Sequence, residues 1–416
     1  MATNNSVDIC VVGAGIVGVC CALSLIETGR SVLLIDKDDP RFGASYGNAG
    51  VISPWSILPQ AVPGIWRKIP KWLLTSDGPV SVKASYLPQL VPWAIRFLSQ
   101  SRLERVLQIS NAMMLLNQDN VEKYKQLLKG SVGEGLIKDS YYVHAYRNSR
   151  EANLDNLEYR LRRERGAEIE LIDQAALLEL EPALSKNFQA AVLIKDQGRS
   201  LSPAGMAEVL MNKFIAQGGR FLPGHARRLV PGVDKNWKIE TEHEIHSSQQ
   251  LVLAAGVWSK SLLKPLGIEV PLEAERGYHL SFANPEIKLN HSIMDMDLKI
   301  VASSMEQGLR AAGTAEFAGL DAPRNEKRIA SLKRCVSSML PDLNDQLSSD
   351  WMGQRPSLPD SLPCIGAVAG KPGLFAAFGH SHYGLMMAPK TAEIITDLIL
   401  GKKPAFDLAP YRLERF

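Results

Sequence analysis

Short apolar runs alternating with glycine-bearing turns open the chain. Val7 to Val12 is apolar and β-branched apart from Asp8, which predicts a buried parallel strand. Ile16 to Thr28 is good helix material, with small Cys20, Cys21 and Ala22, and Gly29 closes it. Ser31 to Ile35 is a second apolar strand ending at Asp36, so the three segments read as a βαβ unit. Further on, residues 101–129 and 151–165 are helical by period, the second placing Leu154, Leu157 and Leu161 on one face before Gly166 stops it. Ser202-Pro203 reads as cap and first-turn proline of a helix over residues 204–217. Met294, Met296 and Met305 read as packing. Repeats and low-complexity segments are absent from the pattern. With no apolar run of about 18 residues, a spanning helix is not predicted, and a strand beginning so early predicts no targeting peptide.

Between the first strand and the helix stands Gly13-Ala14-Gly15-Ile16-Val17-Gly18, a GxGxxG in its required context. Gly13 permits the tight turn, Gly15 lets the backbone approach a pyrophosphate, and Gly18 lets helix and strand pack closely. The phosphates would sit on the free amides of the helix N-terminus. Asp36 stands where an acid accepts from ribose hydroxyls, with Lys37 beside it. The motif does not distinguish FAD from NAD. The loop Gly43-Ala44-Ser45-Tyr46-Gly47-Asn48-Ala49-Gly50 is small and polar, suited to closing over a cofactor, with Ser45, Asn48, Ala49 and Gly50 as contacts.

This loop together with the GAGIVG segment resembles the FAD-dependent D-amino-acid oxidase/dehydrogenase superfamily. Leu251-Val252-Leu253-Ala254-Ala255-Gly256-Val257-Trp258-Ser259 resembles its late strand and glycine turn, with Ala255 and Gly256 at the cofactor. Gly353-Gln354-Arg355-Pro356-Ser357-Leu358-Pro359-Asp360, followed by Pro363-Cys364-Ile365-Gly366, resembles its G-x-R-P…D…P-x-I-G segment. Gly379-His380-Ser381-His382-Tyr383-Gly384-Leu385 resembles the C-terminal flavin loop and opens an apolar helix. The motifs keep the family's order from residue 7 to about 400. Glu275-Arg276-Gly277-Tyr278-His279 and the Trp/Pro-rich stretch after Gly50 look most like bacterial D-amino-acid dehydrogenases, including those acting on D-hydroxyproline. The resemblance implies an α/β fold in which a Rossmann-type FAD domain (residues 1–85, 190–265 and 345–416) interleaves with an α+β substrate domain on an antiparallel sheet (residues 86–189 and 266–344). Some relatives attach the flavin covalently through Cys or His. Residues 43–50 hold neither, and Gly353 to Asp360 lacks Cys, so FAD is predicted to be non-covalent.

Composition narrows the partners. The 416 residues carry 47 Lys plus Arg against 44 Asp plus Glu, a net charge of +3, which argues against a nucleic-acid binder. Hydrophobic residues at 45% and charged residues at 22% are those of a folded globular chain. Five cysteines without ligand-like spacing fit neither a disulfide framework nor a zinc site, and point to a reducing, cytoplasmic compartment. Four of the seven Trp and seven of the 24 Pro fall between residues 51 and 93, among them Trp66-Arg67-Lys68 and Lys71-Trp72. Two readings stay open for this segment: a peripheral face docking on the inner side of the cell membrane, or a rigid wrap that lids the pocket. Arg162, Arg163 and Arg165 read as a solvated helix terminus.

Oxidation of an amino acid requires a cation for the substrate carboxylate. Arg355 can grip it bidentately, and the resemblance places it at the family's carboxylate-binding position. Tyr278 reads either as a second carboxylate contact or as a half-buried strand tyrosine. The loop Gly379–Leu385 would turn amides and a helix N-terminus to the flavin, with His380, His382, Tyr383, Gly384 and Leu385 as flavin contacts or packing. His380 and His382 lack the partners that a metal needs. The resemblance implies hydride transfer from Cα of a D-amino acid, D-proline and cis-4-hydroxy-D-proline among the candidates, to FAD. An imino acid results, and electrons pass to a quinone or other carrier. The alternatives are an oxygen-using oxidase of glycine, sarcosine or another small amine, and a non-catalytic FAD-binding subunit.

Overall fold

A computed structural model describes residues 6–75, 77–232, 236–346 and 349–416; the first five residues of the segment 1–85 therefore lie outside the described residues. The chain begins with β1 (Ser6–Val12), α1 (Ile16–Ile26) and β2 (Val32–Asp36). It then runs through β3 (Val51–Ile52), α2 (Ile65–Leu74), β4 (Val80–Val82), α3 (Leu87–Ser99), α4 (Leu103–Asn117) and α5 (Asn120–Leu128). Next come β5 (Ile137–Tyr146), α6 (Leu157–Glu164), β6 (Ile169–Asp173), α7 (Gln174–Leu180) and β7 (Ala190–Ser200). The chain continues with α8 (Pro203–Ala216), β8 (Arg220–Pro223), β9 (Arg228–Pro231), β10 (Trp237–Glu240), β11 (Ile245–Leu253) and α9 (Ser259–Leu263). Strands β12 (Glu273–Phe282), β13 (Ser292–Asp295), β14 (Ile300–Met305) and β15 (Gly308–Phe317) precede α10 (Glu326–Met339) and β16 (Ser349–Ser357). Finally, β17 (Cys364–Ala367), β18 (Leu374–Phe378) and α11 (Gly384–Ile399) complete the set.

The first sheet has the order β17-β18-β11-β1-β2-β8, with β1 parallel to both β2 and β11. Its apolar strands are covered on one face by α1, α8 and α11 and on the other by β9, β10 and α9, the two-sided cover that parallel sheets require. Two glycines set how closely helix and strands approach. Gly13 holds φ +108, and a Cβ there would lie 2.4 Å from the Ala254 carbonyl oxygen; on Gly18 it would lie 1.8 Å from that of Gly13. The Ser202 hydroxyl accepts from the Gly205 amide at 3.1 Å and caps α8 behind Pro203, as its sequence predicts.

The second sheet runs β16-β12-β15-β14-β13-β5-β7-β3, with β4 on β15 and β6 on β7. It is mixed rather than antiparallel, because β13 lies parallel to β5 and β4 parallel to β15. Sheet membership also moves the predicted domain boundaries. β7 and β16, placed by sequence in the cofactor domain, pair with β5 and β12 of this second sheet, as β3 and β4 also join it. Conversely, α4 and α5 pack on the first core: Tyr124 donates to the Leu385 carbonyl at 2.7 Å, and Tyr411 to that of Ala112 at 2.6 Å. Helix α6 starts at Leu157, later than periodicity alone suggests, because a separate 3-10 turn occupies Ser149–Glu151. All five cysteines are free and buried.

Candidate active site

A cavity of about 1340 Å³ lies where the two sheets meet, larger than a single small ligand needs. At one end it is walled by the β1–α1 turn (Gly13, Ala14, Gly15, Ile16 and Val17), by Asp36 and Lys37, and by Ser45, Asn48 and Ala49. Ala255 and Gly256, and the loop Gly379–Leu385, complete this end. Gly15 is the N-cap of α1 and has no side chain to spend on the first-turn amides, while its Cβ direction meets nothing within 4 Å. Backbone amides and open space together suit a pyrophosphate. Asp36 accepts from the Ala14 amide at 2.5 Å, and burial pushes its carboxyl upward. The Lys37 ammonium lies 4.1 Å from the Trp258 ring centroid. Ser45 Oγ accepts from the Ile16 amide at 3.4 Å, and Asn48 Oδ1 from the Gly50 amide at 2.7 Å. Gly18 and Gly50 sit behind the wall: a Cβ on Gly50, at φ +82, would meet the Ser200 carbonyl at 2.4 Å. These residues fit a bound FAD. Gly224, His225 and Ala226, from the β8–β9 connection, also line this end and carry no sequence signal of their own.

At the other end Arg355, on β16, reaches across β12. Its Nη1 donates to Glu275 Oε1 and to the Thr314 carbonyl, both at 2.9 Å. The reach depends on Gly277, where a Cβ would stand 2.1 Å from Arg355 Nη2. Glu275 is buried and receives three groups: Arg355, the Ser357 hydroxyl at 2.8 Å, and His382 Nε2 at 2.6 Å. Burial alone would push its carboxyl up, but His382, Arg355 and Ser357 outweigh that and hold it well below the usual carboxylate range. Thr314 holds φ +64, a conformation costing of order 1–3 kcal/mol for a β-branched residue, and such strain concentrates at functional sites. Its Oγ1 and Gln354 Oε1, both in the cavity wall, are buried without a hydrogen-bond partner among the described residues.

Tyr278 is not part of this cavity. It lies on β12 at opposite parity to Glu275 and Gly277, so it faces the other core, where its hydroxyl donates to Glu316 Oε2 at 2.6 Å and accepts from the Asn325 amide at 3.1 Å. Asn325 caps α10, so Tyr278 fastens that helix to the sheet. The two loop histidines differ as well. His380 is buried, bonded through Nε2 to Thr391 Oγ1 at 3.0 Å, and burial lowers it to about 3; His382 belongs to the Glu275 cluster. Met294 and Met296 line the cavity rather than only packing, whereas Met305 does not. Arg162 is not a solvated terminus: it is buried at 7% exposure and lines the cavity, its Nε donating to the Trp55 carbonyl at 2.9 Å. Sequence reading missed Glu275 as a site residue, although the quoted Glu275–His279 motif contains it. Period-2 alternation on β12, which puts Glu275 and Gly277 on one face and Tyr278 on the other, could have found it.

A family model described as FAD dependent oxidoreductase (DAO) matches residues 8–398. A D-amino-acid oxidase of Bradyrhizobium diazoefficiens is 36% identical, over 98% of this chain and 98% of its own. A D-amino acid dehydrogenase of Rhizorhabdus wittichii is 27% identical, over 98% of this chain and 99% of its own. Among solved structures, glycine oxidase from Geobacillus kaustophilus superposes with a TM-score of 0.75 at 20% identity, covering 99% of each chain. L-proline dehydrogenase from P. horikoshii gives 0.76 at 17% identity, covering 100% of this chain and 98% of its own. At such identities the structural likeness establishes the fold.

Proposed function

The chain belongs to the DAO family of FAD-dependent oxidoreductases, and we propose that it oxidises D-amino acids to imino acids, passing the electrons to a quinone or similar carrier. The observation that carries this reading is Arg355, held by a buried carboxylate in the wall of a dinucleotide-sized cavity with its Nη2 unengaged by the described residues. Arg355 receives the substrate α-carboxylate through a fork whose orientation Glu275 and Thr314 preset. His382, on the same Glu275 oxygen, fixes the flavin loop to the substrate sheet. The N-terminus of α11 opens from that loop, and its amides favour negative charge in the cavity. When bound, FAD supplies the acceptor for the hydride that leaves Cα of the neutral amine.

The segment between residues 51 and 93 supports both of its readings at once. Ile65, Ile69 and Trp72 of α2 and Leu90, Trp93 and Phe97 of α3 line the cavity as a lid would. The outer faces of the two helices expose Trp66 and Leu74, and Val91 and Ile95. Exposed Arg67, Lys71 and Arg96 accompany them. Apolar residues among cations complement an anionic lipid surface, so we assign this face to a membrane carrying the quinone. No helix among the described residues is long and apolar enough to cross a membrane.

Anaerobic addition of D-amino acids, D-proline and cis-4-hydroxy-D-proline among them, should bleach the flavin, and L-enantiomers should not. Reoxidation by a soluble quinone without peroxide supports the dehydrogenase. Stoichiometric peroxide in air would instead support an oxidase, a reading favoured by the relative at 36% identity that bears that name.

A further inference from the structure

Beyond Arg355 the cavity wall is cationic where an aliphatic side chain would call for an apolar one. Arg162 is fixed by the Trp55 carbonyl and, at 3.0 Å from Nη1, by the Glu158 carbonyl, leaving Nη2 without a partner among the described residues. Lys299, set in the wall at φ +57, has a single hydrogen-bond partner among the described residues, Met296 Sδ at 3.9 Å. Neither Lys299 nor Lys68, across from it on α2, has a carboxylate within ion-pair distance among the described residues. The acid nearest to Arg162 is Glu158, whose Oε2 lies 3.6 Å from Nη1. Glu158 also acts on Lys299, as do Asp297 and the Arg147-paired Asp295 more weakly, but none of these acids lies within ion-pair distance of it. His144 shares this wall: its Nδ1 is bonded to the Tyr159 hydroxyl at 2.9 Å, while Nε2 is buried without a partner. Burial, and then the charges of Arg162 and Lys299, press this imidazole well below its usual value. Burying Arg162 and Lys299 with so little close counter-charge is costly, and a ligand anion offsets that cost.

The fold relates these cations to Arg355. Arg355 Nη1 touches the Thr314 carbonyl on β15, and Ile300, next to Lys299, pairs with Gly313, next to Thr314. Lys299 therefore stands at the start of the strand beside the one that Arg355 reaches. Building on the amino-acid reading above, we propose that this site takes D-amino acids whose side chain carries a second carboxylate, which Lys299 and Arg162 bind while Arg355 binds the first.

The test uses the FAD-loaded enzyme with D-aspartate, D-glutamate, D-2-aminoadipate, D-glutamine, D-alanine and D-lysine. At least one acidic substrate should exceed D-glutamine tenfold or more in kcat/KM. That ratio should fall at least tenfold, through KM, in Arg162→Leu and in Lys299→Gln; the second variant decides if the first does not fold. Calorimetry should show glutarate binding at least tenfold tighter than butyrate, with the gap closing in the variants. Preference for D-glutamine or D-lysine, or a gap that survives both substitutions, would overturn the proposal while leaving D-amino-acid oxidation standing. Failure of every amino acid to bleach the flavin would remove the amino-acid reading, and this proposal with it.

Discussion

At the scale of single residues, the site turns on side chains that act through one buried acid. Glu275 holds both Arg355 and His382, and its charge survives burial only because they neutralise it. Replacing Arg355 by Lys keeps the charge but loses the fork, so KM for the amino acid should rise about 10- to 100-fold, the worth of a charge-assisted hydrogen bond. Steady-state kinetics on protein with an unchanged flavin spectrum would check it. Tyr278→Phe offers the contrast. Losing the bond to Glu316 should cost about 1–3 kcal/mol of stability in denaturant titration, with KM unmoved, because Tyr278 faces away from the cavity. Arg355 was legible as a motif residue, whereas the parity separating Tyr278 from Glu275 needed the strand.

At the scale of elements, caps and turns followed their local chemistry. Ser202→Ala should destabilise the protein by about 1 kcal/mol, read as a lower melting temperature, since α8 loses the acceptor for the Gly205 amide. Helices α2 and α3 show what local reading blurs. Each carries an internal proline, Pro70 and Pro92, and each is apolar on both sides, one toward the cavity and one toward solvent. If the outer face meets lipid, wild-type protein should float with anionic vesicles at low salt and be released as salt rises. The double variant Leu74→Glu, Ile95→Glu should stay unbound. Flotation of that variant equal to wild type would count against a docking face.

At the scale of the whole molecule, burial makes the protein sensitive to acid. His279 and His380 are both lowered to about 3 by burial, so each is neutral when folded, while the unfolded chain binds a proton near pH 6.5. The unfolded state then holds more protons between those values. Stability should be full above about pH 6.5 and fall as pH drops toward 3, by up to about 1.4 kcal/mol per pH unit for each histidine. Glu275, held below the usual range, adds a further loss below about pH 4.5. Melting temperatures across this range should show the decline, and His380→Gln should make it shallower.

The sequence by itself determined the βαβ nucleotide unit, the glycine positions, the α8 cap and the order of the cofactor segments. Each of these depends on neighbours within a few residues or on a contiguous motif, and local sterics and hydrogen bonding dictate them. Only the tertiary structure decided that β7 and β16 cross into the second sheet, that Tyr278 turns away, and that Arg162 and Lys299 line the same cavity as Arg355. Those outcomes rest on strand register and on contacts between residues far apart in the chain, as with Glu275 and His382. Long-range pairing of that kind leaves no local pattern to read.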